Sequence, residues 1–442
     1  MVIVDTALAQ REAEGRPVRV ALVGAGVTGR MIALQLLTPI PGIRLAAIAN
    51  RTVDKAAQSF RNGGVHNVTV AESVAAVEDL VALGQPAVVD DPRLVCEAAN
   101  IDVIVEVTGT VEFGAHVAMA AIQHRKHVVL VNAELDSTVG PLLKFHADRA
   151  GVVVTNTDGD EPGVAMTLLR YVKTIGFTPV AAGNLKGMID RYRTPETQRE
   201  FAAKYNQDAS KVTSFADGTK LSMEATILAN ATGFRVGQRG MYGPRCQHVK
   251  EMSALLPSGD LLNGGLVDYA LGAEPHTGAF VIGYEDHPQK RRELAYYKMG
   301  DGPFYVFYTP YHLPHVQIAS TIARAALFQD ATVTPVGAPV CEVATVAKRD
   351  LKAGEMLDGV GGFMTYGVIE NADTFAAEGL LAMGVSGGSR LLRDVPMDTP
   401  IASADVALPD GRLCDRLRAE QAARFEVAGP ASRSTVAEPV RS

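Results

Sequence analysis

The run Arg19-Val20-Ala21-Leu22-Val23, followed by Gly24-Ala25-Gly26-Val27-Thr28-Gly29, decides the fold at the start of this chain. A strand, a G-x-G-x-x-G turn and an amphipathic helix in this order are typical of a Rossmann dinucleotide-binding domain. The first glycine allows a tight turn, the second lets the backbone approach a pyrophosphate, and the third lets helix and strand pack closely. We therefore predict a pyrophosphate site from Gly24 to Gly29, in which Val27 and Thr28 begin the helix and offer N–H groups. The alternative is a glycine-rich turn without a ligand.

Apolar runs of strand length alternate with amphipathic stretches as far as residue 156. The predicted strands are Arg19–Val23, Arg44–Ala49, Val103–Val107, His127–Val131 and Val152–Asn156. The predicted helices lie around Thr28–Leu37, Thr52–Arg61, Ser73–Leu83, Asp91–Ala99, Val111–His124 and Pro141–Ala150. This alternation predicts an α/β fold with a doubly wound parallel sheet, preceded by a polar helix or arm.

The character of the sequence changes after this region, which predicts further domains. Residues 1–157 form the predicted Rossmann domain, and the less regular pattern of 158–335 predicts an α+β catalytic and dimerisation domain. Short strands and dense turns predict a small β-rich domain over 336–409. The remainder, 410–442, is predicted as a helix and a tail that is disordered beyond Val427.

Bulk composition excludes several classes of protein. The net charge of −7 provides no basic field for nucleic acid. The four cysteines are far apart in sequence, which argues against a zinc site and a disulfide framework and fits a reducing cytoplasm. The start of the chain lacks the pattern of a secretory signal, and no apolar run reaches the roughly 20 residues of a membrane helix. We therefore expect a cytoplasmic protein without membrane or nucleic-acid partners.

The end of the second predicted strand, Asn50-Arg51-Thr52, bears on the choice of cofactor. A site that prefers NAD usually has an acidic residue here to bind the ribose 2′-hydroxyl. Here Arg51 can pair with a 2′-phosphate, and Asn50 and Thr52 can donate hydrogen bonds to it. The sequence therefore predicts NADP(H), with a plain surface arginine as the alternative.

Two more strand ends are expected at the cofactor, because ligands of open parallel sheets bind at the carboxyl ends of strands. The strand ending at Val107 leads into Thr108, Gly109 and Thr110. The next strand leads into Asn132, Ala133 and Glu134, which should face the nicotinamide. For Glu134 the alternative is a carboxylate that only favours the start of a helix.

The acidic turn Asp158-Gly159-Asp160-Glu161 follows the last predicted strand of the first domain. Carboxylates this close repel each other unless a positive group neutralises them. Oxygen ligands of this kind suit Mg²⁺ or Mn²⁺, so Asp160 and Glu161 are candidate metal ligands. The alternative is an acidic cap at the start of the next helix.

Two polar segments farther along the chain are candidates for chemistry. After an apolar strand, Gly183–Pro195 carries Lys186, Asp190, Arg191 and Arg193, and the cations suit an anionic substrate. A helical turn would set Lys186 and Asp190 on one face, where either could move a proton. The turn Asp217–Thr219 then leads into a helix with Lys220, Ser222 and Glu224 near its start. The alternatives are a solvated loop and a capped helix, and His248, His312 and His315 are interpreted as structural.

The residues quoted so far resemble a known group of proteins. The glycine turn, Glu106-Val107-Thr108-Gly109 and Val131-Asn132-Ala133-Glu134 resemble homoserine dehydrogenases, as does Gly183–Ile189. The acidic turn, the segment from Lys186 to Pro195, and Phe215-Ala216-Asp217-Gly218-Thr219-Lys220 are more similar to 1-deoxy-D-xylulose 5-phosphate reductoisomerase-like proteins. Residues Glu342–Val406 resemble an SAF module, a small β-clip fold.

The resemblance implies an NADPH-dependent reductoisomerase that forms 2-C-methyl-D-erythritol 4-phosphate, and it implies a homodimer. The implied phosphate ligands are Lys186, Arg191, Arg193 and Lys220, and the implied acid–base groups are Glu161, Asp190 and Glu224. A metal at Asp160 and Glu161, or Lys186 itself, would polarise the ketone. The acidic motif departs from that of the authentic reductoisomerases, which leaves the metal open.

Two other functions compete with this one. The first is a homoserine-type dehydrogenase, or another NAD(P)-dependent oxidoreductase for a small hydroxy acid or sugar acid, which would not need a phosphate-binding cluster. The second is a non-enzymatic sensor of NADP, with the C-terminal β-rich domain as its output.

Overall fold

The structure is a computed structural model and describes residues 3–425. The tail that the sequence predicts to be disordered lies outside these residues. The predicted N-terminal helix or arm is a helix, α1 (Ile3–Ala13). Across the described residues, no helix combines the length and the apolar character that crossing a bilayer requires.

A seven-stranded sheet forms the first layer of the fold. Its strands are β1 (Val18–Val23), β2 (Ile43–Ala49), β3 (Thr69–Val70), β4 (Ala87–Val89), β5 (Val103–Glu106), β6 (His127–Leu130) and β7 (Val154–Asn156). They are all parallel, in the order β3-β4-β2-β1-β5-β6-β7. The chain builds outward from β1 in both directions, so the crevice at the carboxyl ends of β1 and β5 is the topological switch point where such sheets bind ligands.

Helices connect these strands and cover both faces of the sheet. They are α2 (Val27–Leu37), α3 (Val53–Asn62), α4 (Val74–Ala82), α5 (Pro92–Glu97), α6 (Val111–Gln123) and α7 (Ala133–Ala150). The predicted α/β fold is confirmed, and its predicted elements match to within a few residues, except that α7 begins at Ala133 and contains Pro141. The side chain of Asn132 accepts a hydrogen bond from the N–H of Leu135 and so caps α7 well before the proline.

A separate mixed sheet follows in the second part of the chain. Its strands are β8 (Thr178–Lys186), β9 (Leu266–Leu271), β10 (Ala279–Tyr284) and β11 (Phe304–Thr309), in the order β11-β10-β8-β9. The helices here are α8 (Glu161–Thr174), α9 (Arg199–Lys204), α10 (Ala209–Ala216), α11 (Thr219–Thr232), α12 (Met252–Leu255), α13 (Ser258–Leu262) and α14 (Pro288–Tyr296). Buried residues of α8 and α11 share a hydrophobic core with β8, β9 and β10.

The next helix, α15 (Pro314–Phe328), returns to the first sheet. Its Ile318 and Ile322 are buried in the same core as Leu22 of β1 and Ile32 of α2. The backbone N–H of Asn156, at the end of β7, then donates to the carbonyl of Val333 at 3.0 Å. The sequence places this helix in the predicted domain 158–335, but its apolar face completes the core of the first layer.

The last part of the described chain is rich in short β-elements. It comprises β12 (Cys341–Ala347), β13 (Thr365–Asn371), α16 (Ala372–Ala377), β14 (Arg390–Leu391), β15 (Val406–Ala407) and α17 (Leu413–Phe425). The strands pair antiparallel, β12 with β13 and β14 with β15. Helix α17 returns to the first layer, where the N–H groups of Leu413 and Cys414 donate to Glu112 of α6. We call residues 341–407 the C-terminal β module.

Candidate active site

The glycine turn after β1 has the geometry of a pyrophosphate cradle. A Cβ on Gly29 would lie 2.2 Å from the carbonyl oxygen of Gly24, so only glycine allows α2 to pack this closely. A Cβ on Gly26 would meet nothing within 4 Å, which leaves open space above the backbone. Gly26 is also the N-cap of α2 and has no side chain to bond the free N–H groups of Val27 and Thr28. These groups therefore fit the phosphates of a dinucleotide.

Asn50 supports this turn from the end of β2. Its carbonyl oxygen accepts from the N–H of Ala25 at 3.0 Å, and its amide donates to the carbonyl of Thr52 at 2.8 Å. Asn50 thus holds the cofactor loop, whereas the sequence assigned it to a 2′-phosphate. Arg51 and Thr52 are exposed beside it, where a 2′-phosphate can reach them.

The residues after β5 and β6 lie next to this turn, as expected from the sheet order. A Cβ on Gly24 would lie 3.4 Å from the backbone nitrogen of Thr108, so the two loops touch. The N–H of Thr108 donates to the buried Glu106 at 2.9 Å, and the Asn132 amide donates to the carbonyl of Thr110 at 3.0 Å. Thr108, Gly109 and Thr110 therefore form one rim of the crevice, and the fully buried Asn132 and Ala133 lie behind it.

A buried acid–base cluster forms where β8 faces α11. Asn184 and Lys186 are two apart at the end of a strand and so point the same way, and Lys220 and Glu224 are four apart on a helix. Glu224 accepts from the Asn184 amide at 2.9 Å and from Lys186 Nζ at 3.3 Å. The strand and helix periods put each pair on one face, and the packing of α11 against β8 brings the two faces together.

The acidic turn contributes the other half of this cluster. Lys186 Nζ lies 2.5 Å from Glu161 Oε1, and His312 Nδ1 lies 3.3 Å from Glu161 Oε2. A Cβ on Gly159, whose φ is +86°, would lie 2.6 Å from the carbonyl oxygen of Leu313. This close approach of the two backbones brings His312 to Glu161. We call Asp160, Glu161, Lys186, Lys220, Glu224 and His312 the Lys186 cluster.

One contact joins the cluster to the cofactor crevice. Lys220 Nζ lies 3.5 Å from Glu134 Oε2, and Glu134 is in the first turn of α7, after β6. Glu134 therefore lies in the first turn of a helix, as one of the two interpretations expects, and it also faces Lys220 of α11. That it faces the nicotinamide stays a prediction. The cluster consequently lies at the carboxyl edge of the parallel sheet.

The charges of the cluster push its pKa values apart. Burial would raise the pKa of Glu161, but the positive charges of Lys186 and His312 outweigh it and lower this pKa to about 2. Burial, reinforced by the charge of Glu161, raises the pKa of Glu224 well above its usual range. Burial opposes the charge of Lys186, but the carboxylates of Glu161 and Glu224 raise the pKa of this ammonium. The two carboxyl groups that flank Lys186 thus have pKa values shifted in opposite directions, the separation expected of an acid–base site.

Two further pKa shifts complete the electrostatics. Burial would lower the pKa of Lys220, but the charges of Glu134 and Asp160 raise it. Burial raises the pKa of Asp160, against the charge of Lys220. Oxygen and nitrogen donors of Asp160, Glu161 and His312 lie within 4.8 Å of one another. Two carboxylates and an imidazole suit a divalent cation such as Mn²⁺, although Lys186 already neutralises part of the acidic charge.

Three predicted site residues make their contacts elsewhere. Lys186 is the last residue of β8, so the predicted helical turn that would join it to Asp190 is wrong. Asp190 instead pairs with Arg193 at 3.0 Å. Arg191 is exposed, with its guanidinium 5.6 Å from the ring centre of Tyr366 in the C-terminal β module. The sequence predicts that the polar stretch forms one cluster. In the structure the strand ends at Lys186, and the loop after it places Asp190, Arg191 and Arg193 outside the Lys186 cluster.

His312 is the member of the cluster that sequence reasoning missed. Its distance in sequence from the acidic turn and from the two polar segments favours a structural interpretation. His312 reaches the site because Gly159 of the acidic turn lets the backbone before α15 approach closely. This contact depends on the tertiary fold and leaves no signal in the sequence.

Comparison with known proteins assigns the chemical class. Residues 159–318 match the family described as Oxidoreductase DRL, catalytic domain, which is less than half of the 442-residue chain. This match supports an oxidoreductase. The matched region contains the whole Lys186 cluster, and the interpretation as a non-enzymatic sensor is therefore wrong. A search of curated proteins finds no significant match.

Solved structures of similar fold are distant. Scyllo-inositol dehydrogenase from Lactobacillus casei with NAD(H) and scyllo-inositol has 15% identity over 61% of this chain and 75% of its own, with a TM-score of 0.36. Myo-inositol 2-dehydrogenase from Lactobacillus plantarum has 14% identity over 60% and 74%, with a TM-score of 0.34. An NAD-binding oxidoreductase from Klebsiella pneumoniae has 18% identity over 40% and 45%, with a TM-score of 0.29. Similarities this low carry no conclusion about substrate.

Proposed function

We propose that this oxidoreductase uses NADP(H) to interconvert a carbonyl and a hydroxyl group on a small anionic substrate, with the Lys186 cluster as its acid–base site. The observation that carries the proposal is the contact between Lys220 and Glu134, which holds the cluster beside the nucleotide crevice. Arg51, exposed at the end of β2 where an acidic residue would favour NAD, supports NADP(H). This dehydrogenase-type activity is the one that the comparisons favour over a rearrangement.

Lys186 is the group that contacts the reacting oxygen. Its side chain is 19% exposed, whereas those of Glu161 and Glu224 are 5% and 2% exposed, so the lysine is the member that a substrate can reach. A nicotinamide cofactor, when bound, would supply the hydride for the carbonyl carbon. The ammonium of Lys186 stabilises the developing alkoxide and gives it a proton, and Glu224 lies 3.3 Å behind to return one. In the opposite direction, Lys186 passes a proton to Glu224 and then accepts the proton of the substrate hydroxyl.

Lys220 provides the anion site. Its separation of 3.5 Å from Glu134 is at the limit of a hydrogen bond, so its ammonium retains donors for a carboxylate or phosphate of the substrate. Lys220 is 8% exposed, and an ionic contact at such a buried position is stronger than at the surface. A small hydroxy acid or sugar acid matches these two lysines.

Turnover by the purified protein tests the proposal. Homoserine, aspartate semialdehyde and a panel of sugar acids are offered with each of the four nicotinamide cofactors. A substrate that supports turnover should lose at least about 100-fold in kcat with Lys186→Met, because general acid–base catalysis contributes that much. The matched control is Lys204→Met, an exposed lysine of α9. A Lys186→Met enzyme with unchanged kcat would exclude the assigned role.

One observation favours a second candidate, a reductoisomerase that acts on 1-deoxy-D-xylulose 5-phosphate. Hydride transfer needs no metal, yet Asp160, Glu161 and His312 present three donors within 4.8 Å of one another. A divalent cation there would polarise the ketone and the adjacent hydroxyl of such a substrate. Its phosphate would bind Lys220, since Arg191 and Arg193 contact other groups.

The two candidates differ in their response to metal. NADPH oxidation with 1-deoxy-D-xylulose 5-phosphate that requires Mn²⁺ or Mg²⁺, and that is lost with His312→Asn, supports the reductoisomerase. Turnover of a hydroxy acid that a chelator leaves unchanged supports the dehydrogenase. No oxidation of NADPH with the sugar phosphate under any metal condition excludes the second candidate.

We also propose the homodimer that the family resemblance implies. Helix α14 has no buried residue, and Tyr296 and Tyr297 at its end are 76% and 73% exposed. Exposed aromatic side chains of this size are typical of interfaces. Light scattering after size exclusion should give twice the 46.8 kDa of one chain, and a single-chain mass would refute the dimer.

A further inference from the structure

Lys211 reaches from the second part of the chain to the cofactor crevice. It lies in the first turn of α10, and its Nζ is 3.0 Å from the position that a Cβ on Gly109 would occupy. Gly109 has a φ of +67° and therefore takes a conformation that a side chain would strain. The ammonium of Lys211 therefore occupies the space that a side chain at position 109 would fill. Lys211 is exposed and forms no ion pair with any residue from 3 to 425.

The location of Gly109 identifies the group that this ammonium would contact. Gly109 follows Thr108, whose backbone nitrogen lies 3.4 Å from a Cβ placed on Gly24. Lys211 is therefore on the rim of the glycine turn whose free N–H groups fit a pyrophosphate. A positive charge at this rim would be available to the phosphates of a dinucleotide bound on the glycine turn.

The C-terminal β module fixes the helix that carries Lys211. A Cβ on Gly361 would lie 2.0 Å from the carbonyl oxygen of Ser210, so the module's backbone is pressed against the first turn of α10. At the other end of α10, the buried Lys348 donates to Asp217 Oδ2 and to the carbonyl of Gly362, both at 2.9 Å. Both ends of the helix are thus held by one module.

We propose that Lys211 binds the diphosphate of the dinucleotide, and that the C-terminal β module positions it there. The proposal rests on the proposed use of a nicotinamide dinucleotide. It assigns a role to the third part of the chain, which contributes no residue to the Lys186 cluster. Lys211 closes the cofactor crevice on the side of the Lys186 cluster. A bound cofactor would therefore connect the part of the chain around the first sheet with the part around the second.

Calorimetric titration of the full-length protein tests the assignment. The variants are Lys211→Ala and Lys211→Arg, and the control is Lys204→Ala, a lysine on the neighbouring α9. The probes are NADPH, NADH and adenosine 2′-monophosphate, which has no diphosphate. Lys211→Ala should raise the Kd of NADPH about tenfold, the effect of losing one charge-assisted hydrogen bond. Lys211→Arg should restore most of the affinity, and adenosine 2′-monophosphate should bind every variant equally.

Each other result overturns the assignment. A Kd of NADPH for Lys211→Ala within twofold of the wild type shows that the ammonium does not bind the diphosphate. An equal loss of affinity for NADPH and adenosine 2′-monophosphate shows a general disturbance instead. A raised KM for the substrate with unchanged cofactor affinity shows that Lys211 binds the substrate and not the cofactor. Failure of the proposed function is distinct, since it would show as wild-type protein that binds NADPH and turns nothing over.

Discussion

Replacement of Lys186 by methionine is the perturbation whose outcome the structure defines most closely. Methionine keeps most of the side-chain volume and removes the charge, so Glu161 and Glu224 remain buried without the cation between them. The lysine contributes most to holding the pKa of Glu161 at about 2, below its ordinary value of 4.5. At about 1.4 kcal/mol per pH unit, this difference corresponds to about 3 kcal/mol of stability above pH 5. Removing one partner of a buried ion pair costs a similar amount, about 3–5 kcal/mol.

The sign of the pH dependence follows from the same residues. In the wild type, the lowered pKa of Glu161 stabilises the fold above the unfolded pKa of about 4.3, and this contribution is lost only as the pH falls toward 2. In Lys186→Met, burial becomes the dominant influence, and the pKa of Glu161 moves above its unfolded value. The folded variant then binds protons more tightly than the unfolded chain, so its stability should rise as the pH falls from 8 to 5.5.

Urea unfolding followed by circular dichroism at pH 5.5, 7 and 8 measures both effects. The variant should unfold at a lower urea concentration than the wild type at pH 7, and the gap should narrow at pH 5.5. Lys204→Met, in exposed α9, should follow the wild type at every pH. Equal midpoints for Lys186→Met and the wild type at pH 7, with the same pH profile, would refute the electrostatic account of the cluster.

Further substitutions test the remaining parts of the site. Arg51→Asp should weaken NADPH at least tenfold relative to NADH in direct titration, and an unchanged ratio would exclude NADP preference through this residue. Gly29→Ala should abolish measurable cofactor binding, because its Cβ would lie 2.2 Å from a carbonyl oxygen of the turn, and tight binding would contradict this geometry. His312→Asn should remove any stimulation by Mn²⁺, a difference read from activity with and without chelator. Lys348→Met should lower the unfolding free energy by about 3–5 kcal/mol, whereas Lys352→Met, in an exposed pair, should leave it nearly unchanged.

The sequence predicts the first layer well because its signals are local. A glycine turn between a strand and a helix, and the alternation that follows, depend only on neighbouring residues. The strands β3 and β4 have two and three residues and leave no comparable pattern. Pro141 was interpreted as the start of a helix because proline is common there, but Asn132 caps the helix earlier.

The candidate site was predicted only in part because half of it depends on distant contacts. Lys220 and Glu224 share a face at helical spacing, which a sequence shows. The contact between Glu161 and His312 depends on how the segment before α15 folds back on the acidic turn. Asp190 and Arg193 lie outside the site because β8 ends at Lys186, and strand ends are poorly marked in sequence.

The close approach of Gly159 and Leu313 has a consequence for protein engineering. The chain leaves the first layer at one of these residues and comes back at the other, so everything between is an insertion with adjoining ends. Such a segment could be exchanged between homologous chains as a cassette that runs from Asp160 to His312, provided that α15 stays behind with the host. The exchange would carry Glu161 at one boundary and His312 at the other, so a transplanted cassette would restore its own chemistry only when both junctions close correctly. The activity of the chimera would therefore show whether the two junctions have formed correctly.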